Sequence, residues 1–368
     1  MSLTSDTKVL VTGISSFIGA HVADQFLRIG CNVVGTVQIG EKRHHIERYF
    51  QKYGSNKFNV QEIGYPAEDD VYDSVVRGKN TLCLCMTNSS LNIAALLDVD
   101  IIVHVPNLVT SHHHKNPITH VINPAVNCMT TLLRSALNYG PRVKHVIVTS
   151  NLASILHLDT KPGYEYTEAD WNDWAMDTVK TSIKKALPVD PVIAYCASKN
   201  QAEHAVWDFR SRFNPHFATT VIIPSYVIGP IIPPPRTSDD AEVVSSVKHI
   251  FKYFSGEPQD SRLNSFGGNF VSVVDVAVAH VRAAALGAAV DGERFILAAG
   301  PFCFQQLSDI LRTNFPEKRN SILEGEPGKY ADPTQLINGT KAEAVLGIHY
   351  ADIEQVILET IESIKNLY

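Results

Sequence analysis

The chain is poor in the features that would place it in several large classes. Its six cysteines, Cys31, Cys83, Cys85, Cys128, Cys196 and Cys303, include no Cys-x-x-Cys pair. Most sit inside apolar runs, the pattern of buried reduced thiols in a cytosolic protein. Basic residues are outnumbered, 32 Lys and Arg against 38 Asp and Glu, for a net charge of −6. That balance argues against a nucleic-acid partner. No uncharged apolar run approaches the roughly 18 residues that a membrane span needs, so no membrane partner is expected. The first eight residues hold no apolar h-region, which argues against a signal peptide and for a cytoplasmic location. Internal repeats and low-complexity tracts are also missing. Composition excludes collagen, coiled coil and disulfide scaffold.

What is present is a long alternation of β-type and helical patterns in 368 residues, 45% of them apolar. Lys8–Thr12 reads as a strand, Gly13–Gly19 as a glycine turn, and Phe17 to Gly30 as a helix. Asn32–Val37 and Phe58–Ile63 read as the second and third strands. Ile101–Val105 and His145–Ser150 are apolar nearly throughout and read as central strands. Ala218–Ile223 and Phe295–Ala298 follow as later strands. Alternation of this kind predicts an α/β fold with parallel strands and right-handed crossovers, because each helix must pack back over the sheet. Residues 80–98 fit no single element. Between 151 and 191, Trp171, Trp174, prolines and acids break the rhythm, and a second irregular stretch runs from 224 to about 240.

Two motifs carry chemistry. Gly13-x-x-Ser16-x-x-Gly19 follows a strand and opens a helix, as a dinucleotide fingerprint should, although Ser16 stands where a glycine is usual. Tyr195-Cys-Ala-Ser-Lys199 places a phenol and an ammonium one helical turn apart. Charge proximity predicts that Lys199 lowers the pKa of Tyr195, suiting it to protonate a carbonyl oxygen. Consecutive histidines His112–His114, with His120 beyond, lack the convergent ligands of a metal site and read as a pocket-mouth loop. No metal is expected. His104 reads as a core histidine, and Trp171 and Trp174 as packing residues.

With these motifs in place the chain resembles the extended short-chain dehydrogenase/reductases, in the branch of dihydroflavonol reductases and fungal aldehyde, ketone and methylglyoxal reductases. Pro124–Asn127, Val148–Ser150, Glu168–Trp171, Ala194–Lys199, Ala202-Glu203 with Trp207, Ile228–Pro230 and Phe270–Ala277 carry the resemblance, in order and spacing. It implies a Rossmann-type, doubly wound parallel sheet with a smaller, interleaved C-terminal substrate domain. Residues 1–223 would be mainly the NAD(P)-binding domain, with 151–191 an irregular substrate-side segment. Residues 224–368 would be mainly the substrate domain, with about 270–300 returning to the Rossmann sheet. It also implies NADP(H)-dependent reduction of an aldehyde- or ketone-type carbonyl substrate of moderate size, with monomer and homodimer both open.

Carried over by residue, Tyr195 would be the catalytic acid, Lys199 would hold the nicotinamide ribose, and Asn127 would support a proton-relay water. The cofactor would meet Gly13, Ser16, Phe17, Ile18, Gly19, Gln38, Lys42, Arg43, Tyr65, Pro106, Lys199 and Pro224. Departures cluster here. The family's second serine is Asn151 in this chain, so either Asn151 donates an amide N–H in its place or Ser150, one residue earlier, does the work. The family arginine that pairs a 2′-phosphate is Gln38, with Lys42 and Arg43 nearby to supply charge. Tyr65 and Pro106 replace the residues usual at those positions, so a non-redox isomerase, cyclase or lyase, or a binding protein with a degenerate site, stays open as the second reading.

Overall fold

The computed structural model describes residues 2–39, 43–64, 66, 71, 99–105, 116–157, 163–237, 244–257, 263, 266–333 and 335–367. Strands β1 (Lys8–Thr12), β2 (Asn32–Gln38), β3 (Phe58–Ile63), β4 (Ile101–His104), β5 (His145–Thr149), β7 (Ala218–Pro224) and β10 (Arg294–Leu297) form one sheet. Its order is β10-β7-β5-β4-β1-β2-β3. The pairs β1–β2, β2–β3, β1–β4, β4–β5 and β5–β7 are all parallel. Their apolar composition follows from this position, since β4 and β5 are buried along their whole lengths. The chain runs outward through β1, β2 and β3, then returns to the other side of β1 with β4. That reversal opens a crevice beyond the carboxyl ends of β1 and β4, where open α/β sheets take their ligands.

Three helices carry the motif residues: α1 (Phe17–Arg28), α3 (Asn123–Tyr139) and α5 (Pro191–Phe213), with α2 (Arg43–Phe50) and α4 (Asp173–Lys184) between them. A wide turn at Ile118–Ile122 leads into α3. Helix α5 begins where Asp190 caps it, the carboxylate accepting from the Val192 N–H at 2.7 Å, and Pro191 takes the first position. The stretch 151–191, expected to be irregular, contains the twelve-residue helix α4. Its buried residues, Ala175 and Val179, stand one turn apart, and Trp174 packs against the cluster they form with Ile122 and Ala197. A stripe that small is hidden in the sequence by its charged neighbours.

Contacts divide the chain into two units. The first comprises Met1–Leu158, Asp170–Ile222 and His280–Arg294; the second comprises Asp159–Ala169, Ile223–Ala279 and Phe295–Tyr368. In the second, β8 (Tyr226–Ile228), β9 (Phe266–Ser272) and β11 (Gly300–Cys303) make a three-stranded sheet, and β6 (Glu165–Tyr166) pairs with β12 (Leu336–Ile337). Among the described residues one helical stretch, Val273–Val290, is long and apolar enough to cross a membrane by length and composition. It carries Asp275 and Arg282, half of it is buried within the protein, and His280 bonds Thr149 at 2.8 Å. A core helix meets the same criteria.

Candidate active site

The turn after β1 is shaped by close approach. Gly13 has φ +65°, and a Cβ there would stand 2.6 Å from the Val105 carbonyl oxygen, across the crevice on the chain leaving β4. A Cβ on Gly19 would stand 2.2 Å from the Gly13 carbonyl oxygen. Only glycine fits either position. Ser16 occupies the middle position as the cap of α1: its hydroxyl accepts from the Gly19 N–H at 3.1 Å and donates to the Gly13 carbonyl at 2.6 Å. The serine therefore stabilises the helix start that a pyrophosphate would face. Phe17 and Ile18 are half-buried in the first turn, Phe17 edge-on to His21 with centroids 5.8 Å apart. A cradle with no room for two Cβ atoms, at a helix N-terminus on the switch point, fits a dinucleotide.

Tyr195 and Lys199 share one face of α5, with the Lys199 Nζ 5.5 Å from the Tyr195 ring centroid. The expected lowering of the Tyr195 pKa is not met. Burial, with a smaller push from Cys196, moves the phenol up to about 12. Burial also moves the Lys199 ammonium down, against a weaker opposing pull from Cys128. Removal from water is the largest cause of both shifts. The phenol is thus fully protonated at neutral pH, and its hydroxyl makes no hydrogen bond among the described residues. His104 is a core histidine, as the sequence suggested. Its Nδ1 bonds the Thr12 hydroxyl at 2.8 Å, its Nε2 lies 3.6 Å from the Cys128 Sγ, and burial followed by the Lys199 charge pushes it down to about 3.

Beyond β5 the structure treats the two candidate donors differently. The Ser150 hydroxyl donates to the Glu203 carboxylate, in a very short bond, and its second neighbour is the Ser154 hydroxyl at 3.3 Å. Asn151 caps the short turn Leu152–Ser154, its side-chain oxygen accepting from the Ala153 N–H at 2.8 Å. A backbone N–H can meet only the Oδ1 end, so the amide orientation is set and the Nδ2 hydrogens make no bond among the described residues. Asn127 is exposed on α3, and its carbonyl accepts from the Thr130 hydroxyl at 3.3 Å. Its side chain has no bond to Tyr195 or Lys199 in this structure.

The ribose end is less favourable for a phosphate. Gln38 closes β2. Arg43 opens α2 with its Nε 2.8 Å from Glu47 and Nη1 3.8 Å from Glu62, so two carboxylates already face its charge. Lys42, Tyr65, Pro106 and His112–His114 lie outside the described residues. Pro224 is the last residue of β7, two beyond Ile222, whose carbonyl accepts from the Ser150 N–H at 2.7 Å. His120 is exposed and bonded to Asn116 and Thr119, and no cluster of three or more His, Cys, Asp or Glu forms among the described residues.

Sequence reasoning did not single out the buried acid Glu203. It lies one turn past Lys199 on α5, nearly completely buried, and is paired with Arg294, the first residue of β10. The only signal was its place in the Ala202-Glu203 motif, since the partner stands 91 residues away.

The profile of the NAD dependent epimerase/dehydratase family matches residues 9–298. An NADPH-dependent methylglyoxal reductase of Saccharomyces cerevisiae is 27% identical over 373 residues, covering 97% of each chain. A ketoreductase of Aspergillus niger is also 27% identical, over 370 residues and 97% of each chain. The crystal structure of Candida albicans Gre2 in complex with NADPH superposes with TM-score 0.79 at 27% identity, covering 98% of this chain and 99% of that one. With a glycine cradle at the switch point and a Tyr–Lys pair on α5, the chain belongs to the NAD dependent epimerase/dehydratase family, as an extended short-chain dehydrogenase/reductase related to the fungal aldehyde and ketone reductases.

Proposed function

We propose that the chain reduces a small aldehyde or ketone to the alcohol, using NADPH, with Tyr195 as the acid. The observation that carries this reading is the Tyr195–Lys199 pair, a protonated phenol with an ammonium 5.5 Å from its ring. Gly13, Ser16 and Gly19 would hold the pyrophosphate, and Lys199 the nicotinamide ribose. When bound, NADPH supplies hydride to the carbonyl carbon. Tyr195 gives its phenolic proton to the carbonyl oxygen as the C=O π-bond pair becomes the new O–H bond. Lys199 stabilises the phenolate left behind, which regains its proton from solvent. The Asn151 Nδ2–H donates to the oxygen while negative charge builds there, the task of an oxyanion donor. The bond from Ser150 to Glu203 favours Asn151 over Ser150 for that task.

Titration with NADPH and with NADH, followed by nicotinamide fluorescence, tests the cofactor assignment. NADPH should bind more tightly, and by about tenfold or more if a single basic side chain pairs the 2′-phosphate, an increment of about 1.4 kcal/mol. Arg43 must turn from Glu47 and Glu62 to do so, or Lys42 must supply the charge. Tighter binding of NADH would overturn the choice of NADPH, and failure of both to bind would overturn the reductase reading.

A further inference from the structure

We propose that Glu203 and Arg294 are positioning residues for this reaction, a buried ion pair that fixes the Ser150–Ser154 turn and, through it, the Asn151 amide. The inference rests on the reading of Asn151 as a donor to the substrate oxygen. Arg294 Nε lies 2.6 Å from Glu203 Oε1, and the two side chains are 9% and 1% exposed. A pair so deeply buried is a poor stability device, because desolvation offsets most of the attraction and an apolar pair would serve as well. Its geometry offers a better account. The second carboxylate oxygen of Glu203 accepts from the Ser154 hydroxyl at 2.6 Å and from the Ser150 hydroxyl. Ser154, its single hydroxyl proton directed to Glu203, in turn holds Asn151 through its backbone N–H, which donates to the Asn151 carbonyl oxygen at 2.9 Å.

The opposite side of the turn is held by the same arginine. Arg294 Nη1 donates to the Asp170 carbonyl at 3.0 Å, and its guanidinium lies 3.8 Å from the centroid of Trp171, which also stacks on His204 at 4.0 Å. The next residue, Asn172, donates its side-chain amide to the Ala153 carbonyl at 3.0 Å and its backbone N–H to the Ser154 carbonyl at 2.8 Å. Helix α5 thus carries the phenol, the ammonium and, one turn later, the carboxylate that locates the amide. One rigid element sets the spacing of all three. A displacement of about 1 Å in such an arrangement can reduce turnover by about 10²-fold.

The test uses Glu203→Gln and, because that variant leaves a buried arginine without its charge partner, Ser154→Ala as the milder change. Turnover is measured with NADPH and methylglyoxal as the probe carbonyl, and amide hydrogen exchange is measured on the protein alone. Glu203→Gln should lower kcat by about 10²-fold and Ser154→Ala by about tenfold, with NADPH affinity within about threefold. Amides of Ser154, Ile155 and Leu156, all bonded within the turn, should exchange about tenfold faster in Ser154→Ala. In an Asn151→Ala background the Ser154→Ala change should lower kcat no further, since the group it positions is gone. Independent, multiplying losses in that double variant would overturn the positioning role while leaving Asn151 its own. Unchanged exchange in the turn would overturn it too. Full turnover in Asn151→Ala alone would instead remove the reading of Asn151, and the proposal with it.

Discussion

Tyr195→Phe lowers carbonyl reduction by about 10²–10⁴-fold, the range expected when a general acid is removed, and leaves NADPH affinity within about threefold. The substitution deletes one oxygen from a half-buried ring whose hydroxyl makes no hydrogen bond among the described residues, so folding loses no partner. The phenol, pushed up to about 12 by burial, carries its proton at neutral pH. Loss of that proton source acts on kcat and kcat/KM together, because the proton moves only in the transition state. Steady-state kinetics beside a fluorescence titration measure both quantities. Turnover within a few-fold of the parent would assign the proton to another group.

Asn151 has two hydrogen-bonding ends, and the proposed function gives them different work. Its oxygen caps the Leu152–Ser154 turn, and its Nδ2 hydrogens are the candidate donors to the substrate oxygen. Asn151→Ala should lower kcat by about 10²-fold, the usual cost of one oxyanion donor. That variant also removes the cap, worth about 1 kcal/mol, so a second substitution separates the roles. Asn151→Asp keeps the oxygen that accepts from Ala153 and replaces the donor by a carboxylate. Its melting temperature should match the parent while its kcat falls at least as far as that of Asn151→Ala. Parent-like turnover in Asn151→Asp would show that capping alone is what this residue does.

The parts that sequence made legible are those whose information is local. Strands β1, β4 and β5 are short, mostly apolar runs, β2 and β3 mix apolar with polar residues, and the observed ends of all five differ from the expected ones by a residue at most. The spacing of Gly13, Ser16 and Gly19 announced a strand-to-helix turn, and the 2.2 Å approach at Gly19 supplies the steric reason. Tyr195 and Lys199 needed only helical periodicity to be placed together.

What stayed hidden depends on distant residues. Glu203 in a helix looks like a solvated acid until Arg294 arrives from β10 to bury it. The choice between Ser150 and Asn151 was open in the sequence because both follow the same strand; the bond from the Ser150 hydroxyl to the Glu203 carboxylate, 53 residues away, is what a motif does not display. The direction of the Tyr195 shift was misread because charge proximity is visible in a motif and desolvation is not. Helix α4 was missed because only Ala175 and Val179 of its twelve residues are buried.

The central claim is that this chain couples oxidation of NADPH to reduction of a carbonyl through Tyr195. It is tested most directly by incubating the protein with NADPH and a small aldehyde or ketone, then quantifying NADPH consumed and alcohol formed in the same sample. The account predicts equal amounts of each, and neither above background for Tyr195→Phe. Conversion of substrate to a product of unchanged redox state, with NADPH intact, would contradict it and point to an isomerase, cyclase or lyase on the same scaffold.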